Sequence, residues 1–449
     1  MGDHARFQCF GPSPPACSSH PARYSGVSLS TRVAILGSTG SIGQSTLDVI
    51  QHLGSPYRAV GLSAHRHTEK VLDQARRFRP TAVAMSDERC ADEIKSPLAE
   101  LDIRLYRGES GLVDLVRRND VDVVMSSVVG AAGLPATLAA VRAGKRLALA
   151  NKESLVVAGS LLIPEARKHG VEILPVDSEH SAIFQAMRCG HASEVRRVIL
   201  TASGGPFRNT PLEKLKTATV ADALNHPTWK MGKKVTIDSA TMFNKALELI
   251  EACWLFNLPP HKIEVMIHPE SVIHSMVEFI DGSVLAQLSP PDMKTPIQYA
   301  LTFPGRAHGC SRRMDWASRF SLNFEPPDFA RFPALKLAYQ VAQAGGTAGA
   351  VLNAANEAAV TSFLGGKIGF DAICRVVELT IQKHHVQQSP SLDDLMQADQ
   401  WARATAGALA DECAILPVKN DSTVMNPAPD TKGKPVIQGR QNLPSGTLT

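Results

Sequence analysis

A chain of 449 residues, 44% hydrophobic and 20% charged, has room for two or three domains and ample apolar material for a buried core. A formal net charge of +4 gives no ground for a nucleic-acid partner and suits a small anionic substrate only weakly; no stretch reaches the apolar length of a membrane span. The eight cysteines are scattered with no C-x-x-C pair, which favours reduced, mostly buried thiols in a cytoplasmic protein.

Residues 1–30 are rich in Ser, Pro and Arg, poor in acid, and lack the apolar run of a secretory signal. They read as a disordered extension, or as a start assigned too far upstream, rather than an organelle-targeting peptide. The first predicted strand is Arg32-Val33-Ala34-Ile35-Leu36. It runs into Gly37-Ser38-Thr39-Gly40-Ser41-Ile42-Gly43 and then a helical pattern through Leu47 and Ile50. Strand, glycine-rich turn and helix make a cradle for a dinucleotide pyrophosphate, because free backbone N–H groups gather at the helix start. The next strand, Tyr57 to Leu62, ends in Ser63-Ala64-His65-Arg66-His67, where an NAD-binding protein usually carries an acid. An arginine there suits the 2′-phosphate of NADPH, the bland alternative being a solvated basic loop.

Further strands are expected at Thr81–Met85, Val121–Met125 and Arg146–Ala150, with a helix over Leu134–Ala143 ended by Gly144. This alternation predicts a doubly wound parallel sheet. Its fifth strand ends in Asn151-Lys152-Glu153-Ser154, read either as a helix cap with a surface ion pair or as a contact to nicotinamide and substrate. Val171 to Leu174 adds a strand to the same sheet and ends in Pro175-Val176-Asp177-Ser178-Glu179-His180. Two carboxylates at i and i+2 at a strand's carboxyl end suit a hard divalent cation; the competing reading is an acidic helix cap on Asp177 or Ser178.

The pattern then becomes less regular. A strand at Val195–Leu200 leads into Ser203-Gly204-Gly205, a compact anion nest or an ordinary turn. His226-Pro227-Thr228-Trp229-Lys230-Met231-Gly232 is a proline-punctuated loop in which Trp229 reads as a lid over bound substrate, or alternatively as core packing. Residues from Thr236 open a helix with Ser239 as its expected N-cap. Asn244 and Glu248 share a face, with Lys245 one step round. Glu248 sits in an apolar run where an unpaired carboxylate is costly, though some glutamates there would simply be exposed. Strands at Lys262–His268 and Val284–Leu288 are expected to pair antiparallel through the turn at Asp281-Gly282. Ala-rich helices fill Ala334 to about Ala410, and the tail after Leu416 reads as disordered.

Taken in order, these blocks resemble the 1-deoxy-D-xylulose 5-phosphate reductoisomerase family from about Arg32 to Ala410. The resemblance rests on the glycine turn, Asn151-Lys152-Glu153-Ser154, Asp177-Ser178-Glu179-His180, Ser203-Gly204-Gly205-Pro206-Phe207-Arg208 and His226-Pro227-Thr228-Trp229. Asp238-Ser239-Ala240-Thr241-Met242, Asn244-Lys245, Ile267-His268-Pro269 and Leu352-Asn353-Ala354-Ala355-Asn356-Glu357 extend it. It implies that Asp177, Glu179 and Glu248 hold Mg²⁺ or Mn²⁺. Ser178, Lys152 and His226 would contact the sugar hydroxyls and carbonyl; Ser203, Ser239, Asn244 and Lys245 would bind the phosphate, and Trp229 would cover it. Thr39, Gly40, Ser41, Ile42, Arg66, Asn151, Glu153 and Gly232 would bind NADPH. The implied reaction rearranges and reduces a sugar phosphate to 2-C-methyl-D-erythritol 4-phosphate in a cytoplasmic homodimer. Two departures stand out: Ala246 replaces a usual glycine, and Ala64-His65-Arg66-His67 replaces Ala-Gly-Lys/Arg-Asn.

The expected organisation is an NADPH-binding domain over 31–180, an α+β catalytic and metal-binding domain over 181–305, a linker over 306–333, and a helical domain over 334–415. One enzymatic rival shares the glycine turn: a metal-independent reductase of the semialdehyde dehydrogenase kind. It needs a catalytic cysteine, for which Cys189 is the nearest candidate but has no supporting motif. A silent NADPH-binding regulator would have no reason to keep the carboxylates and the phosphate set together.

Overall fold

The computed structural model describes residues 30–413. The tail expected over 416–449, the extension expected over 1–30 (but for its last residue), and Cys9 and Cys17 lie outside the described residues.

The chain opens with β1 (Thr31–Leu36), whose last four residues are buried, and passes through the glycine turn into α1 (Ser41–Leu53). Strand and helix then alternate through β2 (Tyr57–Ala64), α2 (Thr68–Phe78), β3 (Ala82–Met85), α3 (Glu88–Glu100), β4 (Arg104–Arg107) and α4 (Gly108–Arg117). The series ends with β5 (Val123–Ser126), α5 (Leu134–Arg142), β6 (Arg146–Leu149), α6 (Lys152–Lys168) and β7 (Ile173–Pro175). All seven strands pair in parallel, in the order β4-β3-β2-β1-β5-β6-β7. The chain therefore winds from β1 to one edge, returns to β5 and winds to the other. Winding reverses between β1 and β5, so a crevice opens at their carboxyl ends. The inner strands β3 and β5 are buried throughout, which is why they read as unbroken apolar runs.

Strand β4 corrects the sequence reading, which passed over it. It is an edge strand with exposed Arg104 and Arg107 at its ends, so it carries no apolar run, and Arg146–Leu149 is the sixth strand rather than the fifth.

A second sheet follows. Helix α7 (Ser178–Met187) leads to β8 (Val195–Ala202), then to α8 (Leu212–Leu215), α9 (Val220–Leu224), α10 (Lys233–Thr241) and α11 (Phe243–Phe256). After these come β9 (Ile263–Ile267), β10 (Ile273–Phe279), β11 (Val284–Leu288) and α12 (Lys294–Thr302). The strand order is β11-β10-β8-β9. The antiparallel pair across Asp281-Gly282 is β10 with β11, while β9 runs parallel to β8. The expected pairing of the 262–268 and 284–288 segments is therefore wrong. Strand β10 was missed because it is buried at nearly every position under α7 yet carries His274, Ser275 and Glu278, which leaves neither an alternation nor an apolar run to read.

Residues 306–333 are mostly irregular, and Glu325 bridges to Ile267 at the end of β9. Four helices complete the described chain: α13 (Ala334–Ala344), α14 (Ala348–Leu364), α15 (Phe370–Gln382) and α16 (Leu392–Glu412). Their apolar faces share one core with α11 and the second sheet, through Leu247, Ile250, Leu335, Leu352 and Val377. The described cysteines are unpaired; they are half-buried rather than buried, and Cys189 is exposed.

Helices α6 and α11 approach closely where Gly159 faces Trp254. A methyl at 159 would lie 2.4 Å from the indole Cγ, so no larger residue fits without moving one helix. Gly159→Ala is expected to cost about 1–3 kcal/mol in urea unfolding, and an unchanged midpoint would show that this contact does not set the helix spacing.

Candidate active site

Asp177 occupies the N-cap position of α7, yet its side chain makes no capping hydrogen bond. Its carboxylate instead faces α11. Oxygens of Asp177, Glu179 and Glu248 all lie within 4.8 Å of one another, so the strand end and the helix face meet. Glu248 is fully buried, and the side chains of Asp177 and Glu179 are only 15% and 19% exposed. The acidic-cap reading of Asp177 is thereby set aside. The reading of glutamates near 248 as exposed also fails, since Glu251 is buried too.

Two lysines balance these carboxylates. Lys152, in the first turn of α6, places Nζ 2.5 Å from Asp177 Oδ2 and 3.0 Å from Glu248 Oε1, and donates to Asn244 Oδ1 at 2.8 Å. Lys245 donates to Glu179 Oε1 at 2.9 Å and to Glu248 Oε2. Burial works against the charge on both lysines, but the facing carboxylates outweigh it and raise both above the ordinary range. Each therefore stays an ammonium donor at neutral pH. Burial, with Glu179 alongside, lifts Glu248 to about 6. Asp177 goes the other way, held below the usual carboxylate range by Lys152 and by His180 against its own burial. Behind the cluster, His180 contacts Glu251 at 3.0 Å, and that carboxylate overcomes burial to raise the imidazole to about 9.

Lys152, Asp177, Ser178 and Glu179 line a cavity of about 380 Å³, and Ser41 and Ile42 at the start of α1 reach the same space. On another wall stand Ser203, His226, Trp229, Gly232, Ser239, Asn244 and Lys245. Gly205 must be glycine in this corner: its φ is +66°, and a methyl would fall 2.7 Å from Ser239 O. Ser239 is not the N-cap expected for it. It lies near the end of α10, and Met242, left-handed at φ 64°, breaks the chain before α11 starts. That break turns α11 so that Asn244, Lys245 and Glu248 all face the cluster.

His226 ties the loop to this corner. Its Nδ1 accepts from the N–H groups of Thr228 and Trp229 at 3.1 and 2.9 Å. Nε2 must then carry the proton, and it lies 3.1 Å from Ser203 Oγ and 3.0 Å from Ser239 Oγ. Burial lowers the pKa of this ring. Trp229 is half-buried on the cavity, with its ring 6.4 Å from His274.

The remaining predicted residues do not line the cavity. Thr39 is buried beneath the glycine turn and Gly40 is exposed at its tip, as the uncapped start of α1. Asn151 does cap α6, and it also donates to Val128 O, Gly130 O and Glu153 Oε2, bracing the loop after β5. Glu153 is buried beside Lys234 rather than forming a surface pair with Lys152. Arg66 is exposed at the end of β2 and pairs with Asp87 at 2.9 Å. Sequence reasoning did not assign His274, Met293 or Met231 to the site, though all three line it. The signal was hidden: His274 sits on the overlooked β10 and the two methionines in loops. Cys189 is not among the lining residues.

Three family models match the chain. That of 1-deoxy-D-xylulose 5-phosphate reductoisomerase covers residues 33–159, its C-terminal domain model 173–256, and the DXP reductoisomerase C-terminal domain model 288–405. The enzyme of that name from Chlorobium phaeovibrioides is 51% identical over 375 residues, 83% of this chain and 98% of its own length. The Zymomonas mobilis reductoisomerase, solved with NADPH, superposes with a TM-score of 0.80 at 46% identity, covering 85% of this chain and 99% of that one. A DOX-P reductoisomerase solved with NADPH, fosmidomycin and magnesium gives 0.79 at 42% identity, over 85% and 98%.

The His226 geometry has a direct spectroscopic consequence. A side-chain ¹H–¹⁵N titration is expected to show His226 neutral at pH 7 with the proton on Nε2, and a midpoint below the ordinary 6.5. Because the folded pKa is lowered, the ring's contribution to the loop is present at neutral pH and lost as pH falls through 6.5 and below. A midpoint above 6.5 would contradict the two backbone donors to Nδ1.

Proposed function

The chain belongs to the 1-deoxy-D-xylulose 5-phosphate reductoisomerase family, and we propose from that premise how its residues divide the work. It is an NADPH- and divalent-metal-dependent oxidoreductase that converts 1-deoxy-D-xylulose 5-phosphate into 2-C-methyl-D-erythritol 4-phosphate, a step towards isoprenoid precursors. The observation that carries the residue-level reading is the meeting of Asp177, Glu179 and Glu248 beside a cavity shared with the first turn of α1.

The donor set fits a hard cation. All three groups are carboxylates, Asp177 Oδ2 is buried without an aligned hydrogen-bond donor, and four carboxylates (with Glu251) face only three cations, Lys152, Lys245 and His180. Asp177, Glu179 and Glu248 would hold Mg²⁺, or Mn²⁺ in its place, and the bound ion would supply Lewis-acid polarisation of the substrate's carbonyl. The α1 start fits a pyrophosphate, since it has no side-chain cap and no acid in its first turn. Thr39, Gly40, Ser41 and Ile42 would take the pyrophosphate, Arg66 the 2′-phosphate, and Asn151, Glu153 and Gly232 the nicotinamide half. NADPH bound there would supply the hydride.

The chain's own groups bind, orient and shield. Lys152 keeps its proton and acts as a fixed donor to a substrate oxygen, with Ser178 beside it; it is not a base. His226, neutral with Nε2–H, stands beside Ser203 and Ser239 and would contact the sugar hydroxyls and carbonyl, while Ser203, Ser239, Asn244 and Lys245 would bind the phosphate. Trp229, fixed at its backbone by His226, would close over the substrate and exclude water. Remote phosphate binding orients fragments that must recombine before they escape. In this division 31–180 binds NADPH and lends Asp177 and Glu179 to the metal site, 181–305 supplies Glu248 and the lid, 306–333 links, and 334–415 supports them. A homodimer is supported by edge strand β11, which exposes Val284 and Leu285 next to Ile280. A cytoplasmic setting is supported by the unpaired thiols.

Purified protein given 1-deoxy-D-xylulose 5-phosphate should oxidise NADPH only with Mg²⁺ or Mn²⁺ present; turnover without metal, or none with it, would sink this reading. Glu248→Gln is expected to lower kcat by more than about a hundredfold while NADPH still binds, and retained turnover would remove Glu248 from the ligand set. A proton on Glu248 competes with the metal below its raised pKa of about 6. The Mg²⁺ dissociation constant, followed by calorimetry, should therefore rise about tenfold per pH unit once pH falls below that value, and be flat above it.

A further inference from the structure

Glu251 touches neither the cavity nor any of the three proposed ligands' carboxyl groups through a hydrogen bond, yet it is buried at 1% exposure and forms a second close group with Asp177 and His180, ligand atoms within 4.8 Å of one another. Its partner is His180, itself fully buried and one residue beyond Glu179. The imidazole spans two helices. Nε2 lies 2.9 Å from the backbone oxygen of Glu248 on α11, and a carbonyl can only accept, so Nε2 carries a hydrogen. Nδ1 lies 3.0 Å from Glu251 Oε2, an ion-pair contact in which the two atoms are not aligned for a hydrogen bond.

The ring is thus held on both edges by α11: at Glu248 through the main chain, and at Glu251, three residues on, through its carboxylate. Its own backbone belongs to α7, whose first residues follow Asp177 and include Glu179. The strut therefore connects the element carrying two of the clustered carboxylates to the residue carrying the third. The cluster needs its oxygens within 4.8 Å although they come from different helices, and packing alone leaves such spacing loose by fractions of an ångström.

We propose that Glu251 is a positioning residue: by fixing the His180 ring it sets the separation of Asp177 and Glu179 from Glu248, and through it the affinity for the divalent cation. This rests on the metal reading above. Glu251 orients; it does not touch the substrate. The buried contact at 3.0 Å, together with the Nε2 hydrogen bond to Glu248 O, is what orients the ring. A glutamine at 251 keeps a polar oxygen beside Nδ1, and a leucine does not.

The test is Mg²⁺ and Mn²⁺ binding to the NADPH-free protein by calorimetry, with NADPH binding by fluorescence as the control for an intact fold. Glu251→Leu is expected to weaken metal binding about 10- to 100-fold with NADPH affinity unchanged within about twofold. Glu251→Gln is expected to stay within about threefold of the parent for both. Wild-type metal affinity in Glu251→Leu overturns the inference, and so does a loss in Glu251→Gln as large as in Glu251→Leu, which would make charge the operative property. If Glu251→Leu fails to bind NADPH, Glu251→Ser replaces it under the same two outcomes. Glu248→Gln separates the two levels. If it binds metal as the parent does, the metal reading itself falls; if it loses the metal while Glu251→Leu keeps it, only the positioning role falls.

Discussion

The site depends on one constraint: charges taken out of water must be matched where they are buried. Glu248 has no exposure at all, and Asp177, Glu179 and Glu251 have little. Leaving any of these carboxylates unmatched would cost several kcal/mol, which is a large part of a domain's net stability. Lys152, Lys245 and His180 supply most of the matching charge from three different helices, one cation short of the four carboxylates among the described residues. The same pairing that makes burial tolerable sets protonation. It keeps the lysines charged and Asp177 ionised, while burial, with two neighbouring carboxylates, leaves Glu248 holding its proton more firmly.

Topology brings the partners together. The doubly wound sheet delivers Lys152 after β6 and Asp177 after β7 at neighbouring carboxyl ends, because β6 and β7 are adjacent. The second sheet and α11 bring Ser203 and Glu248 to the same place. Gly159 lets α11 lie against α6, and the left-handed Met242 starts α11 at the angle that aims Asn244, Lys245 and Glu248 inward. The loop from His226 to Gly232 is anchored at Thr228 and Trp229 by the histidine ring and runs at its other end into α10.

The two departures from the family pattern fall in different environments. Ala246 is fully buried inside α11, where a methyl group suits a helix better than glycine does. The His65-Arg66-His67 loop is exposed at the rim of the crevice. Asp87 caps α3 with one oxygen and holds Arg66 with the other, while His65 hydrogen-bonds Ser86. Substitution is therefore absorbed by packing in the first case and left free to act on ligands in the second.

The sequence by itself determined the elements whose signal is local. Buried parallel strands are continuous apolar runs, so β1, β2, β3, β5 and β6 were legible, as were the glycine turn, the helix over 134–142 and part of the cavity lining, though not His274, Met231 or Met293. Strands β4 and β10 were not legible, because exposed arginines at the ends of one and the buried polar residues His274, Ser275 and Glu278 in the other leave neither an apolar run nor an alternation. Ser239 looked like a cap because serine caps helices by local chemistry; that the helix was already running from Lys233 depended on packing. Only the tertiary structure decided that Glu248 faces Asp177, that Lys152 lies between them, and that His180 and Glu251 stand behind. Apart from Lys152 and Asp177, 25 positions apart, those contacts join residues some seventy to a hundred positions apart, and their geometry is set by which helices pack together, a property that no local pattern encodes.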